Sequence, residues 1–554
     1  MLFDWWCQNK ESGVLTRTFL AILAFYKNHK HAPFFAIPLT LCHIFVFYVV
    51  HSNNLVVPGQ SKKGSVQVCL SINIEEEVEM ELFNVPNELI VRRKPNEHDL
   101  PEYRTEFMRD RDRIMYATAF RRLAGKTQIY TVGSDDHKRN RLTHTLEVAQ
   151  ISRTIAHGLK LDADLAEAIA LAHDFGHTPF GHAGERMLHD IMIPESTYVK
   201  SSPFYKKKKR SIALQFEREK KEKADYIEHA FGFKHNLQSA RVCAVLEDSY
   251  RGDAKENLGL NLTNFTLYGM MVHSNLKYDK NDKYPSYQNE LDPFFKMKNS
   301  DTKAWSFEAY IVKLADEIAQ WHHDLEDAMR GKALPVKDIC NTIKDSLKKH
   351  LVPSDRETID NTLTDGAMDR KTIADLSHIV VNTLVNNVIK NAEENFAAVK
   401  EELVKQGVED ASVVFRKYDK LDLPIPKEKI IALSEDIDTD NFEGIIKGSV
   451  HHSRNVERMN EKGKYIIRKL FEAYYAHPQQ LPDGPILHLL VDVGKYKTIE
   501  DAKEKGIGAA RVAFEKAMEN PTIFLKCALM RRVCDHIASM TDRYAIEEYN
   551  HLYG

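Results

Sequence analysis

The sequence predicts a mainly α-helical protein with little strand. Three observations carry that expectation. From about His98 onward, apolar residues recur at helical spacing in segment after segment. A single short strand-like patch, Gln128 to Val132, stands out against them. No internal repeat or low-complexity tract suggests another architecture. Composition agrees with an ordinary globular chain: 43% apolar and 28% charged residues over 554 positions. Typical domain sizes divide that length into about two to four units. A net charge of −3 generates no global field towards nucleic acid or membrane. Cys7, Cys42, Cys69, Cys243, Cys340, Cys527 and Cys534 are scattered and odd in number. None forms a CxxC pair, which argues against a disulfide framework or thiolate zinc site and for a reducing, cytoplasmic compartment.

Residues 1–95 read as an N-terminal extension. Within it, 32–50 carry no acid, Lys or Arg. At about 1.5 Å per residue this run just reaches across a hydrocarbon core of roughly 30 Å. Pro33, Pro38 and His43 interrupt it. It is read as a candidate membrane anchor, a buried helix, or an extension absent from the working protein, since a start at Met80 would remove it.

A second region, 98–335, carries the chemistry. It opens with a charged helix over 104–123, followed by the strand-like patch and a turn at Gly133, Asp135 and Asp136. A helix then starts near Arg141, with Leu142, Leu146, Ala149 and Ile155 on its apolar positions. Asp162 and Asp164 start the next, which stops near Gly176. Residues 196–228 form a polar insert containing the run Lys206 to Arg210. The plain reading is a solvated loop; the alternative is contact with an anion or single-stranded nucleic acid. Helical patterns resume over 236–248 and 307–331. A third region, 336–554, adds amphipathic helices over 336–420, helix from Ser453 broken near Pro478 and Pro482, and a last stretch over 531–549.

The chemistry centres on His173-Asp174. An adjacent imidazole and carboxylate suit a divalent metal, although most such dipeptides are surface or structural. The neighbouring residues strengthen the metal reading: GHTPFGHAGE (176–185) holds His177, His182 and Glu185. His182 and Glu185 are three apart and so share a helix face. A carboxylate beside an imidazole orients it and stabilises its charged form, as a general acid requires. Glycines 176, 181 and 184 let backbone approach a ligand closely. The plain reading is a Gly-rich helix connection with capping histidines. Upstream, Arg141 and His144 are also three apart, joining a phosphate-suited guanidinium to a metal-suited imidazole. Downstream, Asp316, Gln320 and Asp324 line one helix face, where an isolated Asp is normally solvated.

Taken together, His144, His173-Asp174 and a distant helical Asp look like the H…HD…D signature of HD-domain metal phosphohydrolases. The finer text is more specific. RTEFMRDRDRIMYATAFRRLAGKTQ, NRLTHTLEVA, AHDFGHTPFGHAGE, FKHNLQS and ADEIAQWHHDLEDA resemble the deoxyguanosinetriphosphate triphosphohydrolase family, as do LFEAYYAHPQQLP and RVCDHIASMTDRYA near the end. The resemblance covers roughly 98–549 and implies an HD-domain helical core completed by additional C-terminal helices. It implies hydrolysis of a deoxynucleoside triphosphate, dGTP or a broader set, to deoxynucleoside and tripolyphosphate. By its motifs, His144, His173, Asp174 and Asp316 match metal ligands, and His182 and Glu185 the catalytic pair. His235, in FKHN, matches a further active-site histidine, Arg141 a phosphate contact, and Gln128 and Asp324 sugar contacts. The resemblance also implies a divalent cation as cofactor (Mg, Mn, Co, Fe or Zn) and a homo-oligomer, hexamer or tetramer. One departure concerns Gln320, where the family usually has a Tyr packing on the deoxyribose. The rival readings are another HD-type phosphatase or phosphodiesterase, and a nucleotide-sensing or nucleic-acid-binding protein with a degenerate site.

Overall fold

The computed structural model describes residues 80–95, 101, 103–128, 139–192, 232–247, 259–275, 291–330, 334–366, 368–446 and 454–554. All lie in the compact unit Asn73–Gly554. The apolar run 32–50 and the insert 196–228 fall outside the described residues, as does most of the strand-like patch. Among the described residues no helix is long and apolar enough to cross a membrane. None of them forms a strand: Thr127 makes only an isolated antiparallel bridge to Asn140, and Lys296 one to Lys303. The fold is all helical.

Local chemistry explains where the helices start. Helix α1 (Glu106–Tyr116) begins at Thr105, whose hydroxyl accepts from the Met108 N–H. It ends at Ala117, which is extended, and α2 (Thr118–Arg122) comes next. The helix-forming segment 104–123 is therefore two helices. The break is capped from afar: Glu247 accepts from the Thr118 and Ala119 N–H groups at 3.1 and 2.9 Å. Asn140 caps α3 (Arg141–Gly158) by accepting from the Thr143 N–H. Asp162 caps α4 (Ala163–Ala172), accepting from both Asp164 and Leu165. Helix α4 is Ala-rich and buried nearly all round, which lets α1, α3, α7 (Asn264–Val272) and α8 (Phe307–Arg330) pack against it. Between α4 and α7 come α5 (Gly181–Met192) and α6 (His235–Arg241), the latter continued by a π-helical turn at Val242–Leu246.

The expected amphipathic helices over 336–420 are α9 (Val336–Ser346), α10 (Pro353–Asp365), α11 (Arg370–Lys405) and α12 (Ala411–Lys417). Two short helices, α13 (Lys427–Ile430) and α14 (Thr439–Ile446), come after them. The rest is α15 (Arg454–Ala476), α16 (Asp483–Asp492), α17 (Ile499–Glu504), α18 (Ile507–Glu519), α19 (Ile523–Ser539) and α20 (Asp542–Tyr553). A 3₁₀ turn at Pro478–Gln480 separates α15 from α16, where the prolines predict a break.

Two apolar cores result. The first runs from Phe83 to Phe442 and centres on α3, α4, α7 and α8. The second joins α5, Phe180 and Phe233 to α15–α20. Polar contacts stitch the cores together. Asp542, at the start of α20, accepts from the Thr127 and Phe180 N–H groups at 3.0 and 2.9 Å. Arg241 of α6 pairs with Asp535 of α19 at 2.9 Å. Buried Lys126 donates to the carbonyls of His177 and Ala538.

One buried acid links the start of α8 to that of α4. The Glu308 carboxyl accepts from the Asp162 N–H at 3.1 Å. Burial first, then the charge of Asp162, pushes it up to about 7 from 4.5. The folded state therefore binds its proton more tightly than the unfolded chain. The stabilisation is whole below about pH 4.5 and is lost as pH rises through 7, an effect of about 3 kcal/mol. Glu308→Gln removes that dependence. Thermal melts from pH 5 to 8 should fall less steeply for the variant than for the parent; parallel curves would refute this.

Candidate active site

Helices of the first core carry the sequence-predicted metal ligands, and a helix of the second core carries the acid–base pair. Helices α3, α4 and α8 bring His144, His173 and Asp316 together, with one ligand atom from each within 4.8 Å of the others. His144 Nε2 lies 2.9 Å from Asp316 Oδ1. His173 sits at the C-cap of α4 and its Nδ1 donates to the Ala170 carbonyl at 2.6 Å. That fixes the tautomer and turns Nε2 towards Asp174 Oδ1 at 3.4 Å and Asp316 Oδ1 at 3.8 Å. His173 Nε2 is buried and makes no hydrogen bond. A buried imidazole lone pair flanked by carboxylate oxygens and a second imidazole is the donor set that borderline divalent metals take. The residues fit a metal.

Charges around this set are balanced locally. Burial would raise the Asp174 carboxyl, but Arg141, His173 and His177 together hold it well below the usual carboxylate range. Arg141, expected at phosphate, is buried, and its Nη1 bonds Asp174 Oδ2. Burial alone would depress His144, yet Asp316 raises it by hydrogen bond and charge. Behind His144 stands His323, ring to ring at 5.3 Å and bonded through Nε2 to Glu147.

The acid–base pair rides on the other core. Met187, Leu188 and Ile191 of α5 are buried in the second core. The same helix carries His182 and Glu185, with Nδ1 of His182 donating to Glu185 Oε2 at 3.1 Å. The His182 side chain is 55% exposed while Glu185 is 1% exposed, so the imidazole is anchored from behind and free in front. Burial would raise Glu185, but His235 and then His182 keep it well below the usual range. Glu185 also clamps His235: Oε1 accepts from its backbone N–H at 3.0 Å and its Nδ1 at 2.9 Å.

The loop ahead of α5 is held in an uncommon shape. Phe180 and Gly181 both adopt left-handed backbone, with φ of 62° and 57°. For a bulky residue such as Phe180 that costs on the order of 1–3 kcal/mol. The Asp542 contact to its N–H and burial of its ring in the second core hold it there. At Gly176 a Cβ would meet the His235 carbonyl at 2.1 Å, so glycine is needed for α6 to bring His235 in.

Two site histidines lie outside the sequence-predicted set. His177, noted only as part of the motif, stacks on His235 with ring centres 3.9 Å apart, and its Nε2 is 3.1 Å from Asp174 Oδ1. His273, at the end of α7, is fully buried beside His173 and His235, its ring centres 5.0 and 5.4 Å from theirs. Burial, then His173 and His235, push it down to about 3. Its sequence context, an apolar helix ending in one histidine, carries no motif signal. Gln128 is half-buried with its Oε1 unbonded, and Asp324 is buried on α8.

The helical fold and the His/Asp seam define an HD-domain protein. Residues 141–350 match the HD domain family, and 513–551 match the phosphohydrolase-associated domain. Three curated relatives named deoxyguanosinetriphosphate triphosphohydrolase-like protein illustrate the similarity. The one from Bartonella henselae is 30% identical over 81% of this chain and 90% of its own length. That from Syntrophus aciditrophicus is 32% identical over 81% and 87%, and that from Azoarcus sp. 31% over 87% and 99%. The chain belongs to the deoxyguanosinetriphosphate triphosphohydrolase-like family of HD-domain phosphohydrolases.

Proposed function

We propose that the chain hydrolyses deoxynucleoside triphosphates, dGTP or a broader set, to deoxynucleoside and tripolyphosphate. The observation that carries this reading is an exposed His182, oriented by buried Glu185 and ring to ring at 5.2 Å with His177, whose Nε2 lies 3.1 Å from Asp174 of the His144–His173–Asp174–Asp316 set. A divalent cation on that set would supply Lewis acidity towards phosphate oxygens and lower the pKa of bound water.

The chain's own groups do the rest. Water attacks the α-phosphorus. His182 holds its Nδ1 proton on Glu185 and presents Nε2 to the substrate, where it protonates the departing 5′-oxygen or manages the attacking water. Arg141 keeps Asp174 ionised and oriented. Gln128 and Asp324 take the sugar end, where Gln320 offers an amide in place of an aromatic plate.

Incubating the protein with each of four deoxynucleoside triphosphates and their ribonucleotide counterparts, with and without divalent metals, tests this. Deoxynucleoside and tripolyphosphate, formed only with metal, are expected by anion-exchange chromatography. Pyrophosphate or orthophosphate as the first product would overturn it.

A further inference from the structure

Glu185 orients the His182 ring, but the reach of that ring is set by the backbone it hangs from. His182 is the second residue of α5, and the two residues ahead of its Cα, Phe180 and Gly181, are both left-handed. A bulky residue such as Phe180 rarely takes this shape unless its surroundings impose it. Here they do so from two sides. Asp542 Oδ1 accepts from the Phe180 N–H at 2.9 Å. The Phe180 ring is pressed onto α15 at Gly463, where a Cβ would come within 2.7 Å of the Phe180 Cβ and Cγ.

The other oxygen of Asp542 serves a different segment. Oδ2 accepts from the Thr127 N–H at 3.0 Å and from the Thr127 hydroxyl. Thr127 leads into Gln128, and both lie against the same loop. A Cβ at Gly181 would be 3.5 Å from the Gln128 carbonyl oxygen and 3.6 Å from that of Thr127. One carboxylate therefore holds the loop before His182 and registers it against the segment carrying Gln128. Asp542 is 1% exposed, and burying a carboxylate is costly unless its oxygens are satisfied. Anchoring α20 alone needs no buried charge, since apolar packing serves stability as well.

We propose that Asp542 is a positioning residue for the hydrolytic reaction: it holds Phe180 and Gly181 in their left-handed shape and so sets where His182 stands. The proposal rests on the reading of His182 as the acid–base group. It gives the segment 513–551, which matches the phosphohydrolase-associated domain, a part in ordering the site. Asp542→Asn keeps the side chain's size but leaves one oxygen for two segments. Whichever segment the amide faces, one backbone N–H then meets a donor. Gly463→Ala disturbs the same loop from α15 without touching Asp542, and helix propensity favours the alanine.

A double-mutant cycle tests it. Asp542→Asn and Gly463→Ala are each made alone and on His182→Ala, checked for folding by circular dichroism and for bound metal, and assayed for kcat and KM. Each single variant should lose about 10- to 100-fold in kcat, with KM and metal content near the parent's, as when a reacting group is misplaced by ~1 Å. On His182→Ala each should cost under about twofold, because the group they misplace is gone. Gly463→Ala carries the test should Asp542→Asn not fold. Loss by the same factor in both backgrounds marks a merely structural role and overturns the proposal, as does full kcat in the folded variants. A parent that releases pyrophosphate or orthophosphate refutes tripolyphosphate formation instead, and the cycle is then read on that product. If the parent hydrolyses nothing, the proposed reaction fails, and amide hydrogen exchange across 180–182 decides the holding role: faster exchange in Asp542→Asn is expected, and unchanged exchange overturns it.

Discussion

His173→Ala is expected to lose at least one bound metal equivalent and nearly all turnover together, with kcat falling about 10³–10⁵-fold. The size comes from the position. His173 Nε2 is a buried lone pair with no hydrogen bond, aimed between Asp174 and Asp316. Its Nδ1 is already spent on Ala170, so the ring cannot turn to another partner. Truncation removes a ligand that no neighbour can replace. The fold should survive, because α4 is capped at its far end by Asp162 and packed by its alanines. Metal analysis and kcat on the same folded sample check the prediction. Full turnover by a folded, metal-free variant would refute it.

His182→Ala is expected to behave differently: full metal content, a near-normal KM, and kcat lower by about 10²–10⁴-fold. His182 faces solvent, and its one described bond is to Glu185, so its removal should not disturb the metal set. Glu185 remains clamped on His235 through two contacts. The diagnostic is the split between metal content and kcat, which a purely structural defect would not produce. A variant that loses metal in step with activity would place His182 among the ligands instead.

Much of the fold was legible in the sequence because its signal is local. The α3 and α4 boundaries come from Asn140 and Asp162 as caps and from apolar residues at helical spacing. The break at Ala117 was not legible, because the group that caps α2 is Glu247, brought in only by the tertiary fold. The two-core arrangement was hidden for the same reason. Helix α5 buries its apolar face against α15, and Asp542 reaches back to Phe180 and Thr127.

The site divides along the same line. His144, His173, Asp174, Asp316, His182 and Glu185 sit in dense motifs, and the structure draws them to one seam. His273 had no motif around it, and only packing of α7 on α4 and α6 puts it beside His173 and His235. Arg141 was read as a phosphate contact from its spacing to His144 and from the family resemblance; in the structure its Nη1 bonds Asp174, a partner that neither signal named. Spacing along a helix gives the face a side chain shares, whereas its partner depends on what the facing helix presents.

In the proposed reaction, water attacks the α-phosphorus and tripolyphosphate leaves whole. Hydrolysis of a deoxynucleoside triphosphate in ¹⁸O-labelled water, with products read by mass spectrometry and ³¹P magnetic resonance, addresses it most directly. A single ¹⁸O on the terminal phosphorus of tripolyphosphate, with none in the 5′-hydroxyl of the deoxynucleoside, is the predicted result. Label in the nucleoside hydroxyl, or recovery of a labelled nucleoside monophosphate with pyrophosphate, would contradict it.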